Sequence, residues 1–315
     1  MGRLSTLLKL LLLVGAIFHS NAADAGVKPL LEDGDIIGFI GGTDVASAQY
    51  SGHLETLLLV QNSSLNLRIR NFGWEGDTVF EQPRDFGFPS LKLHLRNAGV
   101  TIAFLQFGRG EALNGQTNFT EFKKVYNALI SQCLEQVPRI VLITPPPFEP
   151  GKSVARDLAK KNELIHNYAS VIREIASKRE LPLVDLLKQL GPSPSELTVD
   201  GVQLSPTGEA MIASAFLRQL YPANIKGELK VDRFGEWSNQ DIEELRQVVI
   251  AKNKLWFNFW RPQNWAFLGG DRVSQPSSHD HRNPEIRWFP REMEKYPELI
   301  KAKEREIESL LKESE

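Results

Sequence analysis

Short apolar runs and longer amphipathic segments alternate between about residue 33 and residue 221. The apolar runs are bounded by glycine, proline or charged residues, which is typical of buried parallel strands. They predict strands at Ile36–Ile40, Leu65–Ile69, Thr101–Phe107, Arg139–Thr144 and Leu181–Leu186. Apolar residues at helical spacing predict helices at Tyr50–Val60, Phe119–Leu134, Ala155–Lys178 and Pro206–Leu220. This alternation predicts an α/β fold, a five-stranded parallel sheet with helices on both faces joined by right-handed crossovers.

Beyond residue 222 the pattern changes to amphipathic helices that are rich in aromatic residues. Helices are predicted at Asp241–Phe257, with Ser238 or Asn239 as the cap, and at Pro290–Lys312. Five of the six tryptophans lie here, namely Trp237, Trp256, Trp260, Trp265 and Trp288. These helices carry too few apolar residues for a core of their own. We therefore expect a mostly helical extension, residues 223–315, packed on a sheet domain of residues 29–222.

The aromatic run from Leu255 to Trp260 has two interpretations. The first, which we favour, is a face that packs against the sheet domain. The second is an exposed surface that stacks on sugars or binds a partner, because aromatic rings pack well on apolar faces.

The first residues have the pattern of a secretory signal peptide. Arg3 and Lys9 provide positive charge, Leu10–Phe18 is apolar, and Ser20-Asn21-Ala22 supplies small residues at a cleavage site. The apolar run is short for a membrane span, although an uncleaved N-terminal anchor remains an alternative. We predict cleavage after Ala22 and export to the periplasm or the extracellular space, with no stable transmembrane segment afterwards.

The composition excludes several classes of protein. Hydrophobic residues make up 42% and charged residues 24% of the chain, as in ordinary globular proteins rather than disordered or polytopic membrane proteins. The net charge of −2 gives no basic excess for generic nucleic-acid binding. A single cysteine, Cys133, excludes an intramolecular disulfide framework and a cysteine-based zinc cluster. No phosphate-binding loop motif is present, so we predict no nucleotide cofactor.

Four polar or glycine-rich segments follow predicted strands or precede the last helix of the sheet domain. They are Gly41-Gly42-Thr43, Gly73–Thr78, Gly108-Arg109-Gly110-Glu111 and Asp200-Gly201-Val202-Gln203. In open α/β sheets, ligands bind beyond the carboxyl ends of the strands. We therefore expect these segments to meet in one pocket.

At these segments the sequence resembles the SGNH (GDSL) hydrolases, over roughly residues 35–221. The resemblance implies a three-layer flavodoxin-like fold and hydrolysis of O-acyl esters, carried by small molecules or glycans. It places the nucleophile at Thr43, the oxyanion-hole glycine at Gly76, the oxyanion-hole asparagine at Gly110, and the catalytic Asp and His at Asp200 and Gln203. We further predict that four residues next to these positions bind the ligand, namely Gly42, Asp77, Arg109 and Glu111. The extension is similar to one carried by a secreted bacterial subfamily, whose first block is often Gly-x-Thr.

The departures from the family pattern bear directly on catalysis. Thr43 keeps a hydroxyl, but Gln203 cannot act as a base, because a carboxamide does not bind a proton near neutral pH. Gly110 offers at most a backbone N–H where the family has a side-chain amide. The standard Ser-His-Asp mechanism therefore cannot operate, and the chain has features of a pseudoenzyme.

Other residues could supply a base or a metal site. The candidates in the predicted mature chain are His53, His94, His166, His279, His281, Asp77 and Glu111. We expect the first three histidines to be surface or packing residues, residues 279–282 to be a polar loop, and both acids to cap helices. The pair His279 and His281 is too weak a signal for a metal, and we predict none.

Three functional hypotheses remain open. The protein is a hydrolase of O-acyl esters with an unorthodox nucleophile and base, a non-catalytic relative that binds a glycan or acylated ligand in the inherited cleft, or an interaction module of the cell envelope. The sequence leaves the oligomeric state open.

Overall fold

The computed structural model describes residues 29–152, 157–191, 195–222, 225 and 230–313. The chain divides into residues 1–31, of which residues 29–31 are described, and residues 32–315, which form one compact unit. The predicted signal peptide, residues 1–22, lies outside the described residues. The predicted boundary between residues 222 and 223 stays a prediction.

A five-stranded parallel sheet forms the centre of this unit, as predicted. Its strands are β1 (Ile36–Gly41), β2 (Arg68–Asn71), β3 (Ile102–Gln106), β4 (Arg139–Ile143) and β5 (Leu183–Val184). Their order is β2-β1-β3-β4-β5, so the chain moves from β1 to one side and then returns to the other side for β3. The carboxyl ends of β1 and β3 therefore flank the switch point, where ligands bind in open α/β sheets.

Helices connect and cover the strands. Those of the sheet region are α1 (Thr43–Ser51), α2 (His53–Gln61), α3 (Leu91–Ala98), α4 (Arg109–Leu113), α5 (Phe119–Leu134), α6 (Leu158–Lys178), α7 (Leu186–Leu190) and α8 (Pro206–Leu220). Those of the C-terminal region are α9 (Gln240–Trp260), α10 (Trp265–Leu268), α11 (Trp288–Met293) and α12 (Tyr296–Glu313). Among the described residues no helix is both long and apolar enough to cross a bilayer.

Several element boundaries differ from the predictions. The predicted helix Tyr50–Val60 is two helices, because Gly52 at φ +69° ends α1 and begins α2. The second strand is Arg68–Asn71 instead of Leu65–Ile69, since the turn that starts at Asn62 takes up Leu65, whose N–H bonds to the Asn62 carbonyl at 2.8 Å. The last strand shortens because Asp185 caps α7. The predicted helix Pro290–Lys312 is likewise two helices, α11 and α12.

The alternation of side chains along β1 and β3 produces the predicted three layers. Phe39 and Phe104 stack with ring centroids 5.2 Å apart, and both contact Phe216 of α8. Leu105 belongs to the cluster on the opposite face, where the hydroxyl of Tyr126 on α5 donates to its carbonyl at 3.1 Å. Helices thus cover both faces of the sheet.

The extension packs on the sheet through α9, which contacts α1, α2, β2 and α12. The N–H groups of Arg68, the first residue of β2, and of Phe72, directly after β2, donate to the neighbouring β1 segment. The carbonyls of Ile69 and Asn71 therefore point to the open edge of the sheet. Lys252 Nζ donates to the Ile69 carbonyl at 3.1 Å, and Trp256 Nε1 donates to the Asn71 carbonyl at 2.8 Å. Lys252 and Trp256 are four residues apart on a helix, and Ile69 and Asn71 are two residues apart on a strand. Both separations are about 6 Å along the axis, so each donor reaches its own carbonyl.

The aromatic run is therefore a packing face. Trp256 and Trp260 are each 5% exposed and join the core beside Phe72. In this fold neither ring is available to stack on a sugar or to bind a partner.

Candidate active site

A cavity of about 310 Å³ lies at the carboxyl ends of β1 and β3. All the predicted site residues except Asp200 line it, namely Gly42, Thr43, Gly76, Asp77, Arg109, Gly110, Glu111 and Gln203. The expectation that the segments meet in one pocket is confirmed. The catalytic roles that the family resemblance gave these residues stay predictions.

Thr43 begins α1 directly after β1 and contacts the loop that follows β2. The N–H of Gly76, a residue at φ +82°, donates to Thr43 Oγ1 at 3.3 Å. A side chain at Gly42 would place its Cβ 2.5 Å from the carbonyl oxygen of Asp77. Glycine at position 42 therefore allows the two loops to approach closely enough for the Thr43 hydroxyl to meet a backbone donor.

Arg109 holds three segments of the rim together. Its Nη1 contacts Asp44 Oδ1 at 2.5 Å, and its Nη2 donates to the Val202 carbonyl at 2.7 Å. Its guanidinium lies 4.6 Å from the ring centroid of Phe148. The loop that carries Gln203 is thus connected through Arg109 to α1.

Asp77 and Glu111 line the cavity, but their carboxylates bond within the protein. Asp77 forms two hydrogen bonds with Arg84, at 2.8 and 2.6 Å. Glu111 accepts the N–H of Val79 at 2.8 Å and that of Gly108 at 2.7 Å, and the latter bond caps α4 as predicted. Burial raises the pKa of both carboxyls. The expectation that Asp77 caps a helix is wrong, because Arg84 takes both of its oxygens.

The loop that precedes α8 places Gln203 at the cavity and Asp200 beside it. Gln203 is exposed and lines the cavity, whereas Asp200 Oδ1 accepts the N–H of Val202 at 2.9 Å and that of Gln203 at 2.7 Å. Asp200 therefore shapes the turn that presents Gln203. Gly110 lies on the other side of the rim, where an added Cβ would be 3.4 Å from Thr78 Cγ2.

No histidine of the described residues lines this cavity. His53 is buried and His94 is half-buried, and both are packing residues that contact tryptophans of the C-terminal region. His166 is exposed on α6, as expected, and the ring of His279 bonds to carbonyls of its own loop. Among the described residues, the one hydrogen bond of the Thr43 hydroxyl is the bond it accepts from Gly76. The described residues also hold no cluster of three His, Cys, Asp or Glu side chains arranged for a metal.

Sequence reasoning missed one pair at the cavity, Ser47 and Glu209. Ser47 lies one turn after Thr43 on α1 and lines the cavity, and its Oγ donates to Glu209 Oε1 at 2.6 Å. Glu209 is on α8 and is 8% exposed. An acid on the apolar face of α8, among Ala210, Ile212 and Ala213, was the signal available in the sequence.

The surroundings of Glu209 change its acidity. Its pKa is raised to about 7, chiefly because burial penalises the carboxylate; the hydrogen bond from Ser47 opposes the rise and nearby Asp44 adds to it. Glu209 is therefore a group that gains or loses a proton near neutral pH.

Comparison with known proteins finds solved structures that are similar to this chain. The solved structure of BT4096, a gut microbial diltiazem-metabolizing enzyme, is 13% identical over 90% of this chain and 95% of its own, with a TM-score of 0.52. LAE5, an alpha/beta hydrolase enzyme from the metagenome of Lake Arreo, is 18% identical over 62% of this chain and 98% of its own, with a TM-score of 0.48. Axe2, an acetylxylan esterase from Geobacillus stearothermophilus, is 19% identical over 60% of this chain and 94% of its own, with a TM-score of 0.46.

Comparison with curated proteins gave no match. The sequence model of the GDSL-like lipase/acylhydrolase family matches residues 40–211, which include Thr43, Gly76, Gly110 and Gln203. This match covers more than half of the chain. The protein therefore belongs to the GDSL-like lipase/acylhydrolase family.

Proposed function

We propose that this protein is exported and acts on O-acyl esters at the cavity, with acylated carbohydrate as a candidate substrate class. The standard triad contributes little or nothing, because Gln203 cannot accept a proton and Gly110 carries no side-chain amide. The observation that carries the proposal is the cavity itself, where a hydroxyl, a backbone donor from Gly76 and the family's other signature positions meet.

A second candidate is a non-catalytic relative that binds an acylated glycan in the same cavity. The observation that favours it is the single hydrogen bond of the Thr43 hydroxyl, which leaves this group without a base among the described residues. Both candidates use the same cavity and differ in whether the bound ester is cleaved.

Hydrolysis of 4-nitrophenyl acetate and binding of a partially acetylated xylo-oligosaccharide separate the two. Leu113 lines the cavity, so Leu113→Trp narrows it. Leu134→Trp makes the same change at a site that is 36% exposed and outside the cavity. We expect purified protein to release acetate faster than buffer, and we expect Leu113→Trp alone to abolish this rate while both variants keep their thermal transitions.

Calorimetry with the oligosaccharide measures whether the protein binds an ester that it does not cleave. If the rate equals that of buffer but the oligosaccharide binds with a heat that Leu113→Trp removes, the result favours the non-catalytic relative. If the protein neither hydrolyses the ester nor binds the oligosaccharide, both candidates are contradicted.

A further inference from the structure

Ser47 and Thr43, two hydroxyl-bearing residues of the same helix, both line the cavity. They are four residues apart on α1, which places their side chains on one face with Cβ atoms about 5–6 Å apart. Thr43 bonds only to a backbone donor among the described residues, whereas Ser47 bonds to a carboxyl group at 2.6 Å. Of the two hydroxyls, Ser47 is the one with a potential base.

Glu209 is placed in a way that packing alone does not favour. Its carboxyl is buried, and Arg109, the cation whose charge acts on it, is already paired with Asp44 and bonded to the Val202 carbonyl. Burying a carboxyl without a cation of its own costs stability. A buried carboxyl beside a cavity whose pKa is raised toward neutral pH is typical of functional sites.

The hydrogen bonds of Ser47 suit proton transfer in either direction. Its hydroxyl can donate to Glu209 Oε1 at 2.6 Å or to the carbonyl of Asp44 at 3.0 Å. When Glu209 is ionised, the serine proton points to the carboxylate. When Glu209 is protonated, it can donate to Ser47, which then donates to the Asp44 carbonyl.

We propose, on the basis of the function proposed above, that Ser47 is the nucleophile of this cavity, that Glu209 is its general base, and that Thr43 donates a hydrogen bond to the oxyanion. The Thr43 hydroxyl accepts from the Gly76 N–H and has no base, so it keeps its own proton for donation. The family's nucleophile position thereby becomes a donor, and the nucleophile moves one helical turn along α1.

The reaction balances as two acyl transfers. Ser47 Oγ forms a bond to the ester carbonyl carbon while Glu209 takes the serine proton, and the carbonyl electron pair moves to the oxygen that faces Thr43. Collapse breaks the bond to the alkoxide, which takes the proton from Glu209 and leaves as the alcohol. Water then attacks the acyl-serine with Glu209 accepting its proton, and the bond to Ser47 Oγ breaks. Ser47 Oγ takes this proton back from Glu209, and the carboxylic acid departs.

Hydrolysis of 4-nitrophenyl acetate by Ser47→Ala, Glu209→Gln and the control Ser51→Ala tests the proposal. Ser51 lies on the same helix outside the cavity, and its hydroxyl bonds to the Ala48 carbonyl. We expect Ser47→Ala to reduce the rate to that of buffer. Glu209→Gln should lower kcat by about 10²–10⁴-fold, the usual contribution of a general base, with a smaller change in KM. Ser51→Ala should match the unchanged protein.

The pH profile distinguishes a base from a packing residue. We expect kcat of the unchanged protein to rise as pH passes through about 7, where Glu209 ionises, and we expect Glu209→Gln to lose this rise. The charged groups that act on Glu209 are Asp44 and Arg109, which pair with each other. Glu55 lines a second, smaller cavity together with Glu209 and pairs with Lys252.

Labelling with an alkyl fluorophosphonate locates the nucleophile independently of turnover. A serine nucleophile forms a bond to phosphorus and expels fluoride, so fragment-ion mass spectrometry should place the adduct on Ser47. Ser47→Ala should prevent labelling, and Ser51→Ala should not. Thermal transitions of all variants confirm that they fold.

The outcomes separate this proposal from the proposed function. Full activity of Ser47→Ala, or an adduct on Thr43, would overturn the role of Ser47 and leave ester hydrolysis intact. A rate equal to that of buffer in the unchanged protein, without any adduct, would overturn both.

Discussion

Glu209 carries the same acidic group as the exposed glutamates of the chain, but burial changes how it titrates. Its ordinary pKa of 4.5 is raised to about 7 in the folded protein. The unfolded chain therefore loses this proton at a lower pH than the folded one. The stability that the protonated carboxyl allows is fully present below pH 4.5 and is lost as pH rises to about 7.

Glu209→Gln should increase the free energy of unfolding more at pH 8 than at pH 4.5. Glutamine keeps the shape of the side chain and a hydrogen bond to Ser47 but carries no buried charge. The rise in the pKa of Glu209 from 4.5 to about 7 corresponds to up to about 3 kcal/mol in the free energy of unfolding. Urea unfolding of both proteins at the two pH values measures the difference. Exposed Glu236→Gln is the control, and an equal effect of both substitutions would contradict the assignment.

Residue chemistry explains which parts of the site the sequence could predict. Thr43, Gly76 and Gln203 were found because each lies in a short segment at the carboxyl edge of the sheet. The direction of a carboxylate was not predictable, and Arg84 takes Asp77 away from the cavity. Ser47 and Glu209 are 162 residues apart, and only the packing of α8 against α1 brings them together.

At the scale of elements, α9 closes the open edge of the sheet. Its Lys252 is 1% exposed and contacts Glu55 of α2 at 2.7 Å as well as the Ile69 carbonyl of β2. Burial lowers the pKa of this lysine, and the Glu55 carboxylate opposes that change. An edge strand with unpaired carbonyls is exposed to pairing with other chains, and α9 covers this one.

Lys252→Met should be strongly destabilising, because it leaves the buried Glu55 carboxylate without its cation. Loss of one partner of a buried ion pair typically costs about 3–5 kcal/mol, and Lys252→Met with Glu55→Gln should cost less. Urea unfolding measures both. Lys254→Met, an exposed change on the same helix, should alter the free energy of unfolding by less than about 0.5 kcal/mol. A double variant no more stable than the single one would contradict the role of the pair.

Elements were predictable where local chemistry decides them. Asn239 caps α9, which extends from Gln240 to Trp260, close to the predicted Asp241–Phe257. Helix α8 starts at Pro206 as expected, and Ser205 caps it. The break at Gly52 was missed because apolar residues continue at helical spacing across it. The position of this break depends on packing against α9, because a Cβ added at Gly52 would lie 3.0 Å from Ile250 Cγ1.

For the whole molecule, the extension and the sheet region share one core. Trp260 contacts Phe72, Trp74 and His94, and Arg261 lies 3.6 Å from the ring centroid of Trp74 in the loop that carries Gly76. The sequence indicated that the extension would pack on the sheet domain. It could not indicate where, because no pattern in one sequence specifies which surface an amphipathic helix covers.

One buried histidine, His53, and one half-buried histidine, His94, lie where this packing occurs. His53 meets Trp237 edge to face at 5.2 Å between ring centroids, and His94 lies 5.5 Å from Trp260. Their pKa values are lowered from 6.5 to about 4, chiefly by burial, with Arg246 acting on His53 and Arg84 on His94 in the same direction. Glu243 opposes the effect at His53. In the unfolded chain both rings gain a proton near pH 6.5, so their contribution to stability is lost as pH falls from 6.5 to about 4.

His53→Phe should therefore make stability less sensitive to acid, since phenylalanine keeps the ring contact with Trp237 and binds no proton. Glu209 changes stability in the opposite direction over much of this range, so the informative quantity is the difference in melting temperature between variant and unchanged protein at each pH. That difference should shift in favour of His53→Phe from pH 7 to pH 4.5, as followed by tryptophan fluorescence. His166→Phe makes the same substitution on the exposed side of α6 and should show a constant difference. If both variants behave alike, protonation of His53 does not weaken the packing of the extension on the sheet.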